Sequence, residues 1–199
     1  MITIYNLKPA FQNLLRPIVD SLAKKGFTAN QITLFALALS LFWGCLIAFT
    51  QGARWTLICL SLVLFIRMAL NAIDGMLAKE HSMKSDLGAI LNEMSDVLSD
   101  TALYLPFALI QGVYAPWVVL FVIASILTEL AGILTQAIGK TRRYDGPMGK
   151  SDRAFVIGVV SLMLGFGIVP SGWLNGVFIL LIFLSLWTVW RRCQKGLVC

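Results

Sequence analysis

The sequence predicts an all-α integral membrane protein, with about six transmembrane helices and an N-terminal amphipathic helix on the membrane surface. Three observations carry this. Charged residues make up 13% of the 199-residue chain and hydrophobic ones 58%, with a mean hydropathy of +0.82, whereas a soluble domain carries roughly twice that charge. The apolar residues gather into runs of about 20, the length a helix needs to cross the bilayer core. Lys and Arg fall in alternate connections, the pattern of a chain whose basic loops stay cytoplasmic.

Residues 1–27 mix polar and apolar side chains and lack the basic start, apolar block and small-residue cleavage site of a removable signal peptide. Leu7, Phe11, Leu14, Ile18 and Leu22 recur there at helical spacing, with Lys8, Arg16, Lys24 and Lys25 among them. This is an interfacial amphipathic pattern. Pro9 suits a helix start, and Pro17 is expected to kink or split the helix. Spans are expected over about residues 31–50, 55–77, 87–110, 116–138, 154–169 and 174–190. Turn residues separate them at Gln51 and Gly52, at Gln111 and Gly112, and at Pro170, Ser171 and Gly172.

Basic residues then sort by side. Lys79, Lys84, Lys140, Arg142, Arg143, Lys150, Arg153, Arg191, Arg192 and Lys195 share the side of the N-terminal segment, and Arg54 stands on the other. Both termini are therefore expected in the cytoplasm. The net charge of +6 is first a topology signal and second an attraction to anionic headgroups, and it does not point to nucleic acid. Cys45, Cys59, Cys193 and Cys199 lack zinc-ligand spacing and read as structural or incidental. No internal repeat divides the chain, and residues 1–199 are expected to form a single domain.

Ionisable groups inside a membrane are costly and mark function by default. They cluster at the end of the second span, with Arg67, Asn71, Asp74, Gly75, Ala78 and Lys79, and in the third, with Gly88, Asn92, Glu93, Asp96 and Asp100. At about 100° per residue, each helix carries one polar stripe bordered by small residues. The short connection makes the two helices antiparallel neighbours, so the stripes are expected to face each other near the cytoplasmic end. Oxygen ligands converging from two helices suit Mg²⁺ or Mn²⁺. Such ions neutralise charge on a phosphoryl group and its leaving group, and a remaining carboxylate can take a proton from an attacking hydroxyl. The milder alternative is that Asp74 and Asp96 simply pair with Arg67, and that Glu129, midway in the fourth span, is a packing or oligomer contact.

This segment resembles the signature of the CDP-alcohol phosphatidyltransferase family, Asp-x-x-Asp-Gly-x-x-Ala-Arg, eight residues, then Gly-x-x-x-Asp-x-x-x-Asp. Asp74, Gly75, Ala78, Gly88 and Asp96 match, Lys79 replaces the Arg, and eight residues separate Lys79 from Gly88. Asn71 and Asn92 stand where the family has its first and third aspartates. An asparagine carbonyl ligates a hard cation but brings no charge and bridges two ions poorly. Asp100, one turn on, is a candidate to restore a carboxylate. The run from Thr28 through Asn30 to Thr33 resembles the opening of the family's first span, and the run from Gly146 to Arg153 resembles its basic loop before the fifth.

The resemblance implies transfer of a phosphatidyl group from CDP-diacylglycerol to a small polar alcohol, with release of CMP. It places Asn71, Asp74, Asn92, Asp96 and Asp100 around one or two Mg²⁺ or Mn²⁺ ions, with Asp96 as general base. It puts Gly75, Ala78, Lys79 and Gly88 beside the cytidine diphosphate, and Lys150 and Arg153 against acceptor or donor phosphate. It further implies a homodimer, and the small chain fits a bacterial inner membrane. Two other functions compete. A transporter would also use intramembrane acids but commonly shows repeated halves, which are missing from this sequence. A non-catalytic CDP-lipid binder would account for the two asparagines.

Overall fold

The computed structural model describes residues 8–170 and 172–198. Leu7 of the expected amphipathic stripe, Ser171 and Cys199 lie outside them. Within the described residues the chain forms seven α-helices: α1 (Lys8–Lys24), α2 (Ala29–Phe49), α3 (Arg54–Glu80), α4 (Asp86–Tyr104), α5 (Ala115–Ala137), α6 (Lys150–Gly165) and α7 (Gly172–Val198). Four of them, α2, α3, α5 and α7, are each long and apolar enough to cross a membrane. The chain is a multi-pass membrane protein. The shorter α4 and α6 also carry buried charges, Asp96 and Asp100 on one and Arg153 on the other.

Local chemistry explains most boundaries. Thr28 caps α2 reciprocally: its hydroxyl accepts from the Gln31 amide at 3.3 Å, and its own amide donates to Gln31 Oε1 at 2.9 Å. Ser85 caps α4 by accepting from the Gly88 amide at 3.0 Å. Pro106 cannot donate to a helical ladder, and the end of α4 tightens there into a 3-10 turn over Leu105–Leu109. The Asp152 carboxylate accepts from the Gly149 amide at 3.1 Å and starts α6. That start lies at Lys150, before the residue expected from sequence, so Lys150 and Arg153 sit in the first turn of a helix instead of in a loop. At the other end of the chain, α7 continues through the basic tail to Val198.

α1 departs from expectation in the side it buries. It is not split at Pro17, which lies within one helix. Its buried side is Leu15 and Val19, packed with Ile32, Ile73, Met76 and Leu77, while Leu14 and Ile18 of the expected stripe are exposed. Apolar residues thus lie on both the packed and the exposed sides of this helix. Arg16 meets Glu80 at 3.2 Å and ties it to the end of α3.

The packing runs round an arc in which α6 lies on α3, α3 on α2, α2 on α4, α4 on α5, and α5 on α7. α3 and α4 are consecutive and antiparallel, but they do not pack closely backbone to backbone. Both lean on α2, and side chains span the gap between them. An apolar core adjoins the polar stripes and joins these helices, with Phe107, Phe121, Ile157 and Phe178 fully buried.

The contact of α2 with α4 depends on Gly44. A Cβ added there would strike the Ala102 carbonyl oxygen of α4, a close helix approach that only a small residue permits. Gly44→Val is expected to destabilise the protein by about 1–3 kcal/mol, the range for overpacking. Gly176→Ala, at a position with open space around it, is expected to be neutral. Thermal unfolding of both variants in detergent checks this.

Candidate active site

Three elements bring the polar residues together. α3 presents Arg67, Asn71, Asp74 and Ala78 on one side, α4 presents Asn92, Asp96 and Asp100, and the first turn of α6 presents Lys150 and Arg153. Their links cross the gap between α3 and α4. Asn71 donates an amide hydrogen to Asp96 Oδ1 at 3.3 Å. Arg67 donates to the Asp96 carbonyl at 3.2 Å and approaches its Oδ1 at 3.9 Å. The Lys150 ammonium contacts the same Oδ1. Asp74 instead accepts from the Thr33 hydroxyl of α2 at 2.8 Å.

Gly75 and Gly88 differ in their surroundings. At Gly75 nothing lies within 4 Å of where a Cβ would stand, which leaves open space beside Asp74. At Gly88 a Cβ would come within 2.7 Å of Asn30 Oδ1 and 3.0 Å of Ser85 Oγ. A larger residue at Gly88 would have to displace the Asn30 side chain of α2 and crowd the Ser85 cap. Asn71, Ala78, Asn92 and Lys150 are half-buried, and Lys79 is exposed.

Asp100 and Arg153 have other occupations than those expected. Asp100 Oδ1 accepts from Arg67 at 2.6 Å, and its Oδ2 accepts from Arg153 at 2.8 and 3.3 Å. Both carboxylate oxygens are engaged by guanidinium groups. Arg153 is fully buried. It donates to Asp100, to Glu129 at 2.8 Å, to the Thr128 hydroxyl at 2.6 Å and to the Met148 carbonyl at 3.2 Å. It is an internal clamp, with no donor turned toward a phosphate.

Glu129 is more than a packing residue. Its carboxylate gathers Arg153, Arg142 at 3.0 Å and Arg192 at 3.8 Å, and Arg142 also pairs with Glu93 of α4. A lone acid midway along an apolar span was the available signal, but its partners come from three separate segments. The connection between α5 and α6 is fastened in the same way, because Asp145 pairs with Arg143 at 2.9 Å and Lys195 at 2.7 Å. Partial burial works to raise the Asp145 carboxyl, but the Lys195 hydrogen bond and the Arg143 charge hold it below the usual aspartate range.

A hard cation at these stripes would draw on the Asp74 and Asp96 carboxylates and the Asn71 and Asn92 amide oxygens. Two ions would need shared carboxylates that the asparagines do not provide. Among the described residues, no three His, Cys, Asp or Glu side chains gather in a way that could hold a metal. Cys45, Cys59 and Cys193 are free thiols.

The family model for CDP-alcohol phosphatidyltransferase matches residues 27–191. The inner membrane protein YnbA of Escherichia coli is 47% identical over 196 residues, covering 98% of this chain and 97% of that protein. Archaetidylinositol phosphate synthase of Pyrococcus horikoshii is 29% identical over 165 residues, with 78% and 80% covered. Mycobacterium tuberculosis phosphatidylinositol phosphate synthase (PgsA1) with CDP-DAG bound superposes with a TM-score of 0.75 at 19% identity, over 90% of this chain and 92% of that one. The same enzyme in complex with manganese and citrate also gives 0.75, covering 90% and 87%. At this identity the two structures establish likeness of fold.

Removing one partner from a buried ion pair leaves an uncompensated charge and costs about 3–5 kcal/mol. Asp100→Asn and Arg153→Met are each expected to lower stability by about that much, and the exposed Lys79→Met by under about 0.5 kcal/mol. Thermal or chemical unfolding in a fixed detergent separates the two classes.

Proposed function

This chain belongs to the CDP-alcohol phosphatidyltransferase family, and we propose that it transfers a phosphatidyl group from CDP-diacylglycerol to a small polar alcohol, releasing CMP. The observation that carries this reading is the bridge from α3 to α4, in which Asn71 of one polar stripe bonds Asp96 of the other beside the open space at Gly75. We take the protein to have six spans, as one domain over residues 1–199, with both termini and the site at the cytoplasmic face of an inner membrane. A second copy is expected to complete a homodimer.

In this reading the acceptor hydroxyl attacks the phosphorus that bears the diacylglycerol oxygen. The new P–O bond forms as the bond to the CMP oxygen breaks. Asp96 takes the hydroxyl proton, a role that suits a carboxylate held in place by Asn71 and Lys150. Thr33 fixes the orientation of Asp74. The open side of Gly75 leaves room for the diphosphate to approach the α3 backbone, with Ala78, Lys79 and Gly88 along the cytidine. Lys150, half-buried and on a flexible stem, is the cation placed to meet a phosphate. One Mg²⁺ or Mn²⁺, held by Asp74 and Asp96 with the Asn71 and Asn92 amide oxygens, would neutralise charge on the diphosphate.

Asn71 and Asn92 support one other reading, a relative that binds CDP-lipid without turnover. CMP release decides between them. Purified protein with CDP-diacylglycerol, Mn²⁺ or Mg²⁺ and a panel of acceptors is expected to release CMP with one acceptor in particular. Asp96→Asn is expected to lower that rate about 100-fold or more, the usual worth of a general base. Metal-independent CDP binding with no release from any acceptor, in protein that stays monodisperse, would establish the binder.

A further inference from the structure

We infer that Lys150 is a built-in cation that occupies the Asp96 carboxylate in competition with a divalent ion, so that metal enters this site only as Lys150 is drawn away. The inference rests on the cation site proposed at Asp74 and Asp96 and adds a control to it.

Asp96 Oδ1 is the most crowded oxygen of the site. It meets the Lys150 ammonium, the Asn71 amide at 3.3 Å and the Arg67 guanidinium at 3.9 Å. Arg67 is anchored elsewhere by Asp100 at 2.6 Å, and an amide carries no charge. Lys150 is therefore the cation that balances Asp96. A divalent ion reaching this oxygen would stand beside the ammonium, and like charges so close repel strongly where water is scarce.

The asparagines sharpen the competition. Two carboxylates and one ammonium leave about one negative charge for an incoming dication, where four carboxylates would leave far more. Among the described cations on Asp96 and Asp100, Lys150 is also the least enclosed. Arg153, one turn on, is fully buried and clamped by four partners. The Lys150 side chain keeps 22% exposure and has a flexible stem with a strongly hydrated head. An arriving phosphate gives that head an alternative anion. Pairing with it would free Asp96 Oδ1, so phosphate-bearing substrate and metal should bind in mutual support.

The test is Mn²⁺ binding to the full chain in detergent, read from the electron paramagnetic resonance signal of free Mn²⁺, with no substrate present. Lys150→Met is expected to bind Mn²⁺ about tenfold more tightly than the parent protein, in the range of coupling between close charges. Lys150→Arg, which keeps the charge, is expected to bind no more tightly than the parent. Lys150→Gln serves where the Met variant does not stay monodisperse. Equal or weaker binding by the Lys150→Met and Lys150→Gln proteins, with binding lost in Asp96→Asn, would overturn the role of Lys150 and leave the cation site standing. Mn²⁺ bound by none of these proteins would overturn the cation site and the inference with it.

Discussion

The buried ion pairs of Asp100 and Glu129 are the constraint on which the rest of the arrangement depends. Arg67 from α3 and Arg153 from α6 meet on Asp100 of α4, and Arg153 reaches on to Glu129 of α5. Each charge alone would be prohibitive in a membrane interior. Together they satisfy one another, and they join helices that do not pack closely on their own. α3 and α4 each lean on α2, and without the arginines the gap between them would separate buried charges from their partners. Such pairs contribute little net stability compared with an apolar core, but losing one member is severe. They act to hold a particular arrangement of helices.

The site lies next to that network and uses what it leaves free. Asp96 is one turn from Asp100, on the same side of α4, and Asn71 is one turn from Arg67 on α3. The network sets the distance between the helices, and Asn71 and Asp96 then bond across it. Asp74 is held from a third direction by Thr33. Acids held on helices, beside a half-buried lysine and an open glycine, form a division between scaffold and working parts. Arg153 belongs to the scaffold, and Lys150, three residues earlier in the same turn, belongs to the working parts.

Much of the fold was legible in the sequence because lipid is a demanding solvent. Long apolar runs mark spans by length alone, and the one-sided distribution of Lys and Arg follows from membrane insertion. The helix bounds of α2, α3 and α5 fall within a few residues of the expected spans. The errors have local causes. α6 starts early because Asp152 caps it at Gly149, and α7 continues because its basic tail is compatible with a helix. α1 turns a different side inward because Leu15 and Val19 fit against Ile32, Ile73, Met76 and Leu77 of α2 and α3.

The sequence by itself determined the family signature, the polar stripes on α3 and α4 and the apolar lengths between them, since each depends on spacing along one or two adjacent helices. Only the tertiary structure decided which polar residues are partners. Asp100 was a candidate ligand by its place on the stripe and Arg153 a phosphate contact by family resemblance, and the structure adds that they bind each other across 53 positions of sequence. Glu129 drew Arg142, Arg153 and Arg192 from separate segments. Periodicity tells which side of a helix a charge occupies, whereas pairing depends on which helix faces it and how far away, and that is set by packing around the whole arc.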